Sequence, residues 1–258
     1  GMSGAEPEQV VRRPVMLQRW STMTFLHWAY DPAIVRPLVP AELALDLYDD
    51  VAWVGLTAFE MADVRLPGLP AVPGLSTFPE TNVRTYVRGP DGRDGLWFLS
   101  LDATSLPTVL GGRAAFGVPY HWAAMSVERG ETVCYRSRRR YRPAAGSDLA
   151  IAPGTTYAST ELSRFDHFLT GRWRAYGALP GLLTRTSVEH QPWPLRRADV
   201  RRLDQTLTAV AGLPDPTGEP VVHYSRGVDV RLAAPRLFRR RPPTSPAVGG
   251  RAPRTSLR

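Results

Sequence analysis

All 32 basic residues in this 258-residue chain are arginines, so no side-chain amine is available to form an imine with a carbonyl compound. The formal net charge of +8 equals the eight arginines that follow Asp229. The rest of the chain is therefore neutral, and the pI of about 10.2 is a poor argument for nucleic-acid binding. An apolar fraction of 43% with 25 prolines and 22 glycines excludes a disordered chain and a helical bundle, and the single cysteine, Cys134, excludes an internal disulfide.

Residues 1–13 are polar and expected to be loose. No apolar run reaches the length of a membrane span and no signal-peptide pattern opens the chain, so a cytoplasmic location and no membrane partner are expected. Aromatic and β-branched residues over 18–30 predict a strand, and Asp31-Pro32 supplies the cap and first-turn proline of a short helix ended by Pro37. Residues 43–47 and 51–61 predict a hairpin around Tyr48-Asp49-Asp50; its second arm is apolar on both faces and so predicts a central strand. The Pro/Gly-rich stretch 66–79 is too apolar for a linker and is expected to lie across the body as a cover. Residues 81–88 and 96–102 predict a strand pair joined through Pro90-Asp91-Gly92, followed by a short helix over 106–115.

Gly117 and Pro119 then turn the chain into strands at 121–128 and 132–141, the second with Arg136, Arg138 and Arg140 on one face as a charge-blunted edge. Ser163 and Asp166 resemble a capping box opening a helix through Leu169, and strands are predicted at 172–176 and 182–189. Val200, Leu203, Leu207 and Val210 fall at helical spacing after Asp199, which predicts a capped helix stopped by Gly212 and Pro214. Residues 219–232 close the body with strand. The fold class is α+β: an antiparallel, barrel-like sheet with a few peripheral helices, forming one domain over 14–235, with 236–258 an Arg/Pro-rich tail expected to be disordered.

Phosphate-loop, dinucleotide and nucleophile-elbow motifs are absent, and the five histidines have no metal-ligand spacing, so neither cofactor nor metal is expected. What remains is a looser constellation. Glu80, Asn82, Arg84 and Tyr86 alternate along one strand and share a face, which lies either in solvent or inward, where Glu80 needs a partner such as Arg84 or Arg113. Gly117 and Pro119 hold Tyr120 and His121 at the head of a strand. His190 and Trp193 stand at a strand mouth pinned by Pro192 and Pro194, either as a packed corner or as the rim of a pocket.

Several motifs together carry a resemblance. They are Trp-x4-Phe-Leu-His-Trp at 20–28, Val-Arg-Pro-Leu-Val-Pro at 35–40, Ala-Trp-Val-Gly-Leu at 52–56, Phe-Pro-Glu-x-Asn-Val-Arg-Thr-Tyr-Val at 78–87, Trp-Phe-Leu-Ser-Leu-Asp at 97–102, Phe-Gly-Val-Pro-Tyr at 116–120 and His-Gln-Pro-Trp-Pro-Leu at 190–195. With these the chain resembles the YqjF-type family of uncharacterised bacterial proteins, domain of unknown function 2071. More distantly it is similar to acetoacetate decarboxylases, which implies a β-barrel-like fold with an apolar internal cavity and homo-oligomers. Gly112-Arg113 through Pro119-Tyr120-His121 is similar to the segment in which those enzymes carry a catalytic lysine pair, and Phe78-Pro79-Glu80 is similar to their segment bearing an active-site glutamate. Tyr120 and His121 stand where the lysines would be, so the imine route is closed.

The residues therefore imply a small-molecule cavity protein, acting on a small carbonyl or carboxylate compound without Schiff-base chemistry or binding it without reaction. Tyr120, His121 and Glu80 are the candidates for proton transfer, and Arg84, Arg113, His190 and Trp193 for holding the ligand. Contact of the Arg-rich tail with nucleic acid or an anionic surface ranks last.

Overall fold

The computed structural model describes residues 4–240. Thirteen strands form one sheet among them: β1 (Met16–Tyr30), β2 (Ala44–Leu45), β3 (Ala52–Arg65), β4 (Phe78–Arg88), β5 (Asp94–Ala103), β6 (Tyr120–Glu128), β7 (Val133–Arg139), β8 (Gly146–Thr156), β9 (Arg174–Leu179), β10 (Leu182–His190), β11 (Leu195–Gln205), β12 (Val221–Leu232) and β13 (Arg236–Arg239). Four short helices accompany them: α1 (Pro32–Val35), α2 (Leu106–Gly111), α3 (Arg164–Thr170) and α4 (Leu207–Val210). A π-helical turn, Gly112–Phe116, extends α2 toward the site.

Two strands branch. β12 pairs with β1, β10 and β11, and β5 pairs with β4, β6 and β9. These extra pairings bend the sheet into two joined rings. One runs β1–β3–β4–β5–β9–β10–β12; the other shares β1, β3, β4, β5 and β12 and is completed by β6, β7, β8 and β11. Pairing is antiparallel except where β5 meets β6 and β9.

The shared strands must be apolar on both faces, because each face lines a different ring. In β3, Val54, Leu56 and Ala58 face the second ring, where they pack with Leu26, Val83, Leu149 and Ile151. The alternate residues Phe59 and Met61 face the first, with Met23, Phe25, Phe78, Leu101 and Tyr120. Burying one such Leu, Ile or Phe stabilises the fold by about 1.5–3 kcal/mol.

Several expectations are revised. Residues 199–205 are strand, not helix: β11 pairs with β8 with register shifts between Arg196 and Ala198 and between Val200 and Arg202, and only Leu207–Val210 is helical. β2 is two residues long and pairs with β4 rather than β3, so the expected hairpin arm goes elsewhere. The loop before β4 turns Leu66, Leu69, Val72 and Leu75 outward, each more than half exposed, and so does not cover the body with its apolar groups.

Two terminal stretches are also more engaged than their composition implies. Glu8 pairs with Arg174, the Val11 amide donates to Glu189 at 2.6 Å, and Val11 is buried, so the segment is held against β9 and β10. Residues 236–239, expected in the tail, form β13 on the edge of β10, where the arginine side chains do not prevent backbone pairing. The remainder of the tail, 241–258, lies outside the described residues. No helix among the described residues is long and apolar enough to cross a membrane.

Candidate functional site

The first ring holds a half-open cavity of about 430 Å³, bordered by α2 and its π-helical extension. Its wall is apolar for most of its extent, with Trp20, Phe59, Phe98, Phe116 and Trp193 among the lining side chains. Polar groups enter from β4. Strand alternation sends Glu80, Asn82 and Arg84 inward, each at most 7% exposed, which settles the two orientations open to this row.

Tyr120 is the first residue of β6 and projects into the same space. Its hydroxyl donates to Glu80 Oε1 at 2.5 Å. Burial raises the Glu80 carboxyl to about 7; the Tyr120 hydrogen bond, the Asn82 amide and the Arg84 charge favour the ionised form and limit that rise, while Asp102 adds to it. Burial, together with the Glu80 charge, lifts the Tyr120 phenol well above its usual value. At neutral pH the pair is thus a protonated phenol beside a carboxyl near its own midpoint.

Backbone detail explains why Tyr120 sits there. A Cβ on Gly112 would meet the Tyr120 ring at 2.4 Å, so only glycine lets the π-helical turn lie against it. Gly117 has φ +66° and packs on the backbone of Ala178, which turns the chain from the helix into β6.

Arg84 differs from the other guanidiniums in this ring. Arg172 is held by Asp46 at 2.6 Å and Asp94 at 3.1 Å, and Arg174 by Asp94 and Glu8. Arg84 lies 5.3 Å above the Phe25 ring, enters no ion pair among the described residues, and its Nε has no hydrogen-bond partner there. A buried guanidinium with no carboxylate in contact, felt only at a distance by Glu80, marks a place where an anion could be received.

His190 lines the cavity between Trp173 and Trp193, with ring centroids at 4.5 and 4.8 Å. Its Nδ1 lies 2.5 Å from the Gln191 carbonyl and donates to it, and burial lowers its pKa to about 4, so it is neutral at pH 7 and offers Nε2 as an acceptor. Trp193 donates its indole N–H to the Thr170 carbonyl, and its ring stacks near Trp20.

Two candidates stand apart from this group. His121 follows Tyr120 on a strand and so points to the opposite face, where its Nδ1 meets the Tyr141 hydroxyl at 2.7 Å. Burial and the charges of Arg139 and Arg113 lower its pKa to about 4. Arg113 turns back to the Tyr120 carbonyl and to Tyr141, and is spent on backbone. Of the polar lining residues bordering Glu80 and Arg84, Thr57 and Asn82 were not among the site candidates drawn from sequence. Thr57 gave no signal, because it sits in an apolar strand, whereas Asn82 was visible within the polar row. Among the described residues no group of three or more His, Cys, Asp or Glu is placed to hold a metal ion.

Residues 17–229 match the family model described as an uncharacterized conserved protein, DUF2071. The chain belongs to the DUF2071 family. It is 36% identical over 217 residues to the uncharacterized protein YqjF of Bacillus subtilis (strain 168), covering 84% of this chain and 89% of that one. Among solved structures, this DUF2071 chain is similar in fold to an acetoacetate decarboxylase-like enzyme from Sphingomonas wittichii RW1, with TM-score 0.60, 15% identity, and coverage of 90% and 95% of the two chains. Acetoacetate decarboxylase from Legionella pneumophila gives TM-score 0.60 at 14% identity with 92% of each chain covered. The enduracididine biosynthesis enzyme MppR complexed with pyruvate gives 0.59 at 13%, over 89% of this chain and 93% of that one. At such identities the likeness is one of fold.

Proposed function

We propose that this DUF2071 protein takes a small carboxylate-bearing compound into the first-ring cavity and exchanges a proton with it through Glu80, with no covalent imine. The observation that carries the reading is Arg84: a buried guanidinium without an ion-pair partner among the described residues, on the wall of an apolar cavity that also holds Glu80 and Tyr120. A ligand carboxylate would neutralise Arg84, and the aromatic wall would take the apolar remainder. Glu80, near its midpoint at neutral pH, is suited to remove a proton from a carbon next to a carbonyl and return it, while the Tyr120 hydroxyl steadies the ionised carboxyl. Pyruvate bound to MppR, a relative in fold alone, is a compound of the same class.

The test has two arms. Calorimetric titration with small carboxylates should give saturable binding that Arg84→Leu weakens by about tenfold or more, the range of a charge-assisted contact; equal binding by the variant overturns the anion reading. Deuterium incorporation at C3 of pyruvate in D₂O should be catalysed by the protein and lost in Glu80→Gln. A second reading, binding without reaction, is favoured by the outward turn of His121, which leaves one proton-sharing pair in the cavity. Binding without deuterium exchange selects it.

A further inference from the structure

The polar row of β4 contains more than the anion anchor and the carboxyl. Asn82 lies between Glu80 and Arg84 on the same face, and Thr57 is its direct cross-strand partner on β3. Both line the cavity and both are buried, at 3% and 0% exposure. Each carries a polar atom with no hydrogen-bond partner among the described residues: Asn82 Oδ1 and Thr57 Oγ1. Leaving such an atom unsatisfied forfeits the hydrogen bonds it would make in water. Together with the Nε of Arg84 on the same strand face they form a gap in the hydrogen bonding on the β3–β4 wall, apart from the unpartnered guanidinium nitrogens of Arg172 and Arg174 elsewhere in the lining.

The chemistry of the gap is directional. The Asn82 amide favours the ionised form of Glu80, as its N–H₂ side does when turned toward that carboxylate, and this leaves Oδ1 as an acceptor. Thr57 Oγ1 can donate or accept. A ligand held at Arg84 with its reacting carbon near Glu80 has to pass Asn82 and Thr57 with the atoms closest to its carboxylate.

Building on the carboxylate reading above, we propose that Asn82 and Thr57 recognise a hydroxyl on the carbon next to the ligand carboxylate, so that the preferred ligands are 2-hydroxy acids. The hydroxyl donates to Asn82 Oδ1 and accepts from Thr57 Oγ1, filling both unmet positions at once. A site built to pair a hydroxyl discriminates against the analogue without it, because the site's own groups are then left unpaired.

Mandelate and phenylacetate test this, since they share ring and carboxylate and differ in the hydroxyl. In titrations of the wild-type protein at pH 7, at least one mandelate enantiomer should bind about tenfold or more tighter than phenylacetate. Asn82→Leu and Thr57→Val should each shrink that ratio toward one. Equal affinity for the two compounds in wild type, or a preference that survives in both variants, overturns the proposal. Arg84→Leu separates the two levels. If it weakens both compounds while wild type does not discriminate, the anion anchor stands and the hydroxyl reading falls. If Arg84→Leu binds both as wild type does, or if neither binds wild type, the anchor itself falls and the hydroxyl reading with it.

Discussion

The Tyr120 hydroxyl donates to Glu80 across 2.5 Å, joining the head of β6 to β4 inside the first ring. The contact sets a neutral donor against a buried carboxyl, and its consequences are measurable without knowing the ligand.

Because the Tyr120 hydrogen bond favours the ionised carboxyl, Tyr120→Phe should move the Glu80 pKa further up, above about 7. Titration of carboxyl-labelled glutamate by ¹³C NMR reads this directly. A pKa that stays in place or falls contradicts the role assigned to the phenol.

The raised Glu80 pKa also sets a pH dependence of stability. The native state holds this proton more tightly than the unfolded chain does, so stability is greatest below the ordinary carboxyl value of 4.5 and falls as pH rises from there to about 7. The shift corresponds to something on the order of 3 kcal/mol once fully expressed. Glu80→Gln removes the titrating group, so its stability relative to wild type should grow over that window and level off above it. Denaturant unfolding at several pH values gives the answer, and a constant difference between the two proteins would show that Glu80 is not the source.

Arg84 and Arg172 should respond oppositely to replacement by leucine. Arg172→Leu leaves Asp46 and Asp94 without their shared cation and also removes the guanidinium stacked at 4.3–4.4 Å over Phe168 and Tyr86. A loss of about 3–5 kcal/mol is expected. Arg84→Leu removes a buried charge with no such partner, so the variant should unfold at or above the wild-type temperature while losing carboxylate binding. Thermal unfolding that shows Arg84→Leu crippled to the same degree as Arg172→Leu would place Arg84 among the structural ion pairs.

Gly112→Ala should disturb Tyr120, because the new methyl meets the ring at 2.4 Å. Overpacking of this kind costs about 1–3 kcal/mol. Its signature is a Glu80 pKa shifted in the same direction as in Tyr120→Phe. A destabilised variant with an unmoved carboxyl would mean that the backbone, not the ring, gave way.

How much of this was legible in the residues follows from how regular each strand is. Alternation along β4 placed Glu80, Asn82, Arg84 and Tyr86 on one face, and the paired apolar faces of β3 marked it as central, because both strands keep a strict two-residue period there. β11 breaks that period. Its bulge near Arg201 leaves Arg201 and Arg202 both outward, so Val200 and Leu203 fall three apart, and α4 then adds Leu207 and Val210 at a spacing that imitates a helix. The same alternation separates Tyr120 from His121, which their shared place at the head of a strand and the resemblance to a lysine pair had joined. The gap at Thr57 was invisible, since a threonine within an apolar strand looks the same whether its hydroxyl is satisfied or not.

β4 serves two masters: its inner face carries Glu80, Asn82 and Arg84, and its outer face is fixed by Val83 and Val87 in the packing of the second ring. A slip of one residue would send charge into that packing and valine into the cavity. Spacing along the row is therefore locked from behind. A family built on this frame can retune what it accepts by exchanging single side chains on β4 and its neighbour, whereas sliding or tilting the strand to suit a longer or shorter ligand is closed to it.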